Sequence, residues 1–217
     1  MARSARSHVL VPHEIVIAHV MARVVRKCYL MGNDPQTGKN YDHRKIWIEA
    51  MMRDYAQYFA IDILCFAILD NHFHQVLRSR PDLVSSWDDT EVARRWMMIC
   101  PLRRGPDGLP MEPTEAELNS IRHDPNKLLD IRLRLSDISW WMRLICQKIA
   151  QRANAEDETS GRFWDCRFRA VRILDEAGLL ACAAYVDLRQ RDKINVPANP
   201  LFFGVKLARR RLNAREC

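Results

Sequence analysis

The sequence predicts an α+β fold: an antiparallel sheet with helices packed on its apolar face and a helical insertion between two of its strands. Three observations lead there. Runs rich in β-branched residues alternate with runs whose apolar residues recur at i, i+3, i+4 and i+7, the two periods of strand and helix. Two strand runs are joined by Asp70-Asn71, a tight-turn dipeptide that makes an antiparallel hairpin. The order reads strand, helix, strand, strand, helix, strand, helix, with no internal repeat.

Taken along the chain, residues 1–12 form a basic arm, 13–195 the main domain and 196–217 a basic tail containing KLARRR. HEIVIAHVMARVVR reads as a first strand over about 14–26. NDPQTGKN is a turn cluster punctuated by Asn33, Pro35 and Gly38. From Tyr41 to Phe59, Ile48, Met51, Met52, Tyr55 and Phe59 trace one helix face. IDILCFAIL is a continuous apolar strand and HFHQVLRS its returning partner. Residues 81–130 change character and form the insertion. DDTEVARRWMMI is a short helix with an acidic first turn, PLRRGPDGLPMEP a loop and TEAELNSIR a second short helix. Ile138, Trp141, Met142, Ile145 and Ile149 then stripe a long helix with Ser136 placed as N-cap. GRFWDCRFRAVRIL alternates as a strand, with Trp164, Cys166, Phe168 and Ala170 on one face and Asp165, Arg167 and Arg169 on the other. Asp175 caps a last helix that runs to about Arg189.

The 217 residues suffice for one good core, and the net charge of +7 favours a polyanionic partner such as nucleic acid. Seven cysteines at irregular spacing, with no CxxC pair, argue against a disulfide framework or a zinc knuckle. His8, Pro12, His13 and Glu14 interrupt the apolar start, so a secretory signal is not expected, and with no run of about 18 apolar residues neither is a membrane span. A reducing, cytoplasmic setting is the expectation.

The chemistry centres on LDNHFHQVL. In an extended strand His72 and His74 point one way and Phe73 the other, which sets two imidazoles side by side. Neutral imidazole is the commonest ligand for divalent transition metals, although two alone seldom hold one, and such a pair is as often a packed or hydrogen-bonded face. In LLACAAYVDLRQ, Tyr185 follows Ala181, Cys182, Ala183 and Ala184, whose small side chains leave its ring approachable. A phenol is a weak nucleophile at neutral pH unless cations or a metal stabilise the phenolate. Arg167, Arg169 and Arg172 lie close in sequence, and a metal on the histidines would polarise a phosphate. Trp87, Trp96, Phe163 and the 206–211 segment are candidates for stacking and contacting a single strand.

The block DNHFHQVL resembles the HUH motif of single-tyrosine transposases, the group that includes REP-associated tyrosine transposases. RVVRKCYLMGNDPQTGKNYDHRKIWI, FAIDILCFAILDNHFHQVLRSRPD and LSDISWWMRLICQKIAQRANAEDETSGRFWDCRFRAVRILDEAGLLACAAYVDL are similar to one bacterial branch of that group, over roughly residues 12–190. The resemblance implies a ferredoxin-like sheet with the histidines on a central strand and the nucleophile, here Tyr185, on the final helix. It implies Mg2+ or Mn2+ on His72 and His74, and single-stranded or hairpin DNA as the partner. The tyrosine then forms a 5′-phosphotyrosine link and frees a 3′-hydroxyl, so that resealing needs no ATP. Monomer or homodimer, and a tyrosine acting in cis or in trans, stay open.

One departure matters. Family members place Asn or Gln one helical turn after the tyrosine to complete the metal site, whereas YVDLRQ places Arg189 there. Guanidinium has no lone pair to donate, so Arg189 contacts the phosphate instead, or the third ligand comes from Asp187 or Gln190. The alternative reading is an inactive or domesticated relative that binds DNA without cutting it.

Overall fold

A computed structural model describes residues 9–25 and 28–191, of which 189–191 by backbone alone. The strands are β1 (Ile17–Arg23), β2 (Ile61–Ile68), β3 (His72–Ser79) and β4 (Arg169–Ile173). The helices are α1 (Asp42–Ala56), α2 (Pro81–Ser85), α3 (Asp89–Ile99), α4 (Glu115–Arg122), α5 (Pro125–Leu135), α6 (Ile138–Glu156) and α7 (Glu176–Arg191). The strands form one antiparallel sheet in the order β2-β3-β1-β4. Because α1 carries the chain from β1 over to β2, β3 drops between them, which is the ferredoxin-like order. The fold is α+β, as the alternation of periods predicts.

Strand parity divides the sheet into two faces. Ala18, Val20 and Ala22 of β1 lie opposite Leu77, Gln75 and Phe73 of β3, and this face meets α1 and α6 in the larger core. Ile17, His19, Met21 and Arg23 share the other face with Arg78, Val76, His74 and His72. There α7 packs through Val186 on Leu64, Ala67 and Val76. Helices thus cover both faces, where the sequence led us to expect one. The apolar run of β2 explains how. A bulge between Ile63 and Cys65 inserts Leu64, which turns both Leu64 and Cys65 toward α7 while Ile63 and Phe66 serve the larger core.

In that core the stripe Ile138, Trp141, Met142, Ile145 and Ile149 of α6 is fully buried. Gln75 is buried with it, accepting a 2.9 Å hydrogen bond from the Trp141 indole and turning its amide nitrogen to Met52 Sδ. Gln75→Leu keeps the volume but strands the indole N–H, so we expect a loss of about 1–3 kcal/mol, read as a lower urea midpoint at unchanged slope.

The insertion is more helical than its sequence suggests, with α2 and α5 present besides the two expected helices. Asp124 caps α5 by accepting from the Lys127 amide at 3.0 Å, and Pro125 takes the first helical position. Asp137, not Ser136, is the N-cap of α6, because Ser136 closes α5. Thr114 and Glu117 form a capping box on α4. The last strand is shorter than expected: β4 begins at Arg169, and upstream only Trp164 bridges to Val24. The first strand likewise contracts to 17–23.

Between α1 and the end of α6 lies Arg44, whose side chain is 1% exposed. It pairs with Glu156 at 3.0 Å and Asp157 at 2.6 Å, donates to the Tyr29 carbonyl at 2.7 Å, and lies over the Tyr41 ring. Two carboxylates at a helix C-terminus oppose the helix dipole, and the guanidinium offsets both. Burial works to raise the Asp157 carboxyl, but hydrogen bonds and charge from Arg44 and Lys39 outweigh it and hold the group below the usual range. Among the described residues no helix is long and apolar enough to cross a membrane.

Candidate functional site

The site starts at the hairpin turn. The Leu69 amide donates to the His72 carbonyl at 2.9 Å, so residues 69–71 reverse the chain and β3 begins at His72. The segment leaving β1 clamps this turn: the Val24 amide donates to the Asn71 carbonyl at 2.9 Å and the Leu30 amide to that of Asp70 at 2.7 Å. Gly32 has φ +81°, a conformation that favours glycine, and a Cβ there would lie 3.0 Å from Asp70 Oδ1 and press on that side chain.

His72 and His74 leave β3 on one face as the spacing predicts, their ring centroids 4.9 Å apart. Asn71 Oδ1 lies 2.7 Å from His72 Nδ1. A third imidazole, unforeseen in the sequence, joins them: His19 of β1 stacks on His74 at 5.0 Å between centroids, with its Nε2 2.9 Å from His74 Nδ1. Its position in the alternation HEIVIAHV was the available signal, since His19 shares a face with Ile17 and Met21. Burial lowers the pKa of His19 and keeps it in the neutral, lone-pair-bearing form.

The final helix delivers Tyr185 to the same place. Asp175 Oδ1 caps it by accepting from the Gly178 amide at 2.6 Å, as its sequence indicates. Val186 and Ala183 are buried against the sheet with Leu179 and Cys182 beside them, which sets Tyr185 at the helix margin, 42% exposed. Its ring centroid lies 5.8 Å from that of His74 and 6.4 Å from that of His19, edge-on to both. Ala181 and Ala184, on the same helix, are exposed. Burial, then the charges of Cys182 and Asp187, push the Cys65 thiol up to about 12 despite an opposing backbone hydrogen bond, so it stays protonated beneath α7.

The arginines separate. Arg169 pairs with Met21, which itself faces His74, so it stands on the histidine face and is exposed. Arg167 is exposed just before β4. Arg23, across from His72, is a further exposed cation on that face, missed in the sequence. Arg172 is not brought to the site: it pairs with Ala18 on the opposite face and bonds Glu14 at 2.8 Å. Arg189 and Gln190 fall within α7, Arg189 one turn beyond Tyr185, but their side chains lie outside the described residues, as does the 206–211 segment. The stacking candidates are otherwise engaged: Phe163 is buried, Trp87 lies under Arg95 at 4.0 Å, and Trp96 packs edge-on against Trp140.

Two neighbouring imidazoles suit a divalent cation, and as nitrogen donors they favour Mn2+ over the oxygen-seeking Mg2+. Among the described residues no group of three or more His, Cys, Asp or Glu side chains is gathered around a metal position. In comparisons with known proteins, neither a family model nor a curated protein sequence matches this chain.

Proposed function

We propose that the chain cleaves and rejoins single-stranded DNA through a covalent link to Tyr185, with a divalent cation on His72 and His74. The observation that carries the reading is convergence: a tyrosine more than 100 residues downstream has its ring 5.8 Å from the second histidine of the motif. The resemblance to HUH single-tyrosine transposases names that same trio. When bound, Mn2+ or Mg2+ supplies charge that polarises the scissile phosphate. Tyr185 Oη attacks phosphorus, the bond from phosphorus to the 3′-oxygen breaks, the phenol gives up its proton and the departing 3′-oxygen takes one up. The 5′-phosphotyrosine stores the ester for transfer to a new 3′-end. Arg169 and Arg23, on the same face, hold the strand by its phosphates.

An SDS-stable adduct between the protein and single-stranded or hairpin oligonucleotides, formed with Mn2+ and abolished by His72→Ala, tests the reading. No adduct with any divalent ion, in folded protein, sinks it. DNA-binding isotherms supply a second check. Arg169→Ala should reduce the slope of log K against log salt by about one, while Arg172→Ala, tied to Glu14, should leave it unchanged.

A further inference from the structure

We infer that His19 and Asn71 are positioning residues that hold both imidazoles of the pair in the Nδ1–H tautomer, so that each presents Nε2 to the cation. This rests on the metal-dependent reading proposed above. A neutral imidazole has one N–H and one lone pair, and only the lone-pair nitrogen can ligate. Asn71 Oδ1 is purely an acceptor and lies 2.7 Å from His72 Nδ1, so the hydrogen of that ring sits on Nδ1. The lone pair is then on Nε2.

His74 meets its partner in the same way. His19 Nε2 lies 2.9 Å from His74 Nδ1, and one of the two rings donates. Were His19 the donor, Nδ1 of His74 would be spent as acceptor and its hydrogen would occupy Nε2, leaving no nitrogen to ligate. With His74 as donor, Nε2 keeps its lone pair and His19 does for His74 what Asn71 does for His72. The sheet fixes both partners. His19 sits opposite Val76 and reaches diagonally to His74, and Asn71 is held through its carbonyl by the Val24 amide. A ligating histidine whose second nitrogen donates to a fixed acceptor is the usual arrangement at metal sites, and removing the acceptor lowers affinity about 10–100-fold.

The test uses the full chain with 15N-labelled histidine. Long-range proton–nitrogen correlations of the metal-free wild type should show His72 and His74 both protonated at Nδ1. His19→Leu should move His74 toward the Nε2–H form, and Asn71→Ala should do the same to His72. Mn2+ affinity, read by the loss of the free-ion paramagnetic resonance signal, should fall about 10–100-fold in each. His19→Gln and Asn71→Asp, which restore an acceptor, should recover most of it. A wild-type His74 protonated at Nε2 overturns the proposal, even where a variant fails to fold. So does Mn2+ affinity that His72→Ala abolishes but His19→Leu and Asn71→Ala leave intact. Equal absence of Mn2+ binding in wild type and His72→Ala removes the metal reading itself, and the positioning role with it.

Discussion

Tyr185→Phe is expected to abolish the covalent protein–DNA adduct, a loss of at least about 10³-fold, while leaving the fold and DNA affinity unchanged. The substitution removes one oxygen from a ring at the margin of α7, and the helix is moored on the sheet through Val186, packed on Leu64, Ala67 and Val76. The edge-on contacts to His74 and His19 belong to the ring and persist in phenylalanine. Adduct formation is the property expected to separate the two side chains. A residual adduct in Tyr185→Phe would assign the nucleophile elsewhere. Arg189→Asn, run alongside, separates the active enzyme from its binding-only alternative. Activity that appears only in that variant marks Arg189 as an inactivating change, whereas activity already present in the wild type makes the guanidinium compatible with catalysis.

Arg44→Met is expected to cost about 3–5 kcal/mol, because it strips the buried cation from Glu156 and Asp157 and leaves them the more exposed Arg152 and Lys39. The partners are Glu156 and Asp157, whose side chains are 26% and 17% exposed, so water relieves them only in part. For a chain of this size the melting temperature should fall by roughly 10 °C. Arg44→Lys keeps the charge but not the fork that reaches Glu156, Asp157 and the Tyr29 carbonyl together, so it should recover only part of the loss. The sign with pH follows from Asp157. Its folded-state pKa is depressed, so its contribution is full above the ordinary carboxylate range and fades as pH falls through the folded value. The difference between wild type and Arg44→Met, measured by denaturant titration, should shrink on acidification. A cost that stays constant down to strongly acid pH would mean that packing rather than the ion pairs carries it.

The strands around the hairpin were legible because their pattern is local: IDILCFAI, Asp70-Asn71 and HFHQVLRS each hold their signal within a few residues. The helix stripe of α6 was legible for the same reason. α5 was not, since Pro125 and four charged residues dilute its apolar face, which is defined only by the helices it packs against. The extent of β4 was misread because residues 162–168 alternate like a strand but, apart from the Trp164 bridge, do not pair. That His72 and His74 share a face followed from strand spacing, whereas the nearness of Tyr185 was expected only from the family resemblance. His19 was not legible, because its role depends on the register of β1 against β3, which puts it diagonal to His74 across 55 residues of sequence. Arg172 was misassigned by proximity in the chain, where strand parity sends it to the other side of the sheet from Arg169.

The bulge at Leu64 has a mechanical corollary. It splits one strand's greasy residues between two unequal moorings, a broad one beneath the imidazoles and a slight one, with Leu64, Ala67, Val76 and Val186 as its buried members, beneath the phenol. Among the described residues, swinging the tyrosine's helix away uncovers that small set and the half-buried Ile17, Cys65 and Ile173 beside it, while displacing a histidine means tearing the central strand from its neighbours on both sides. On the function proposed above, the helix that would carry the DNA end is thus the part that travels at least expense, and the strand that would hold the phosphate is the one that stays put.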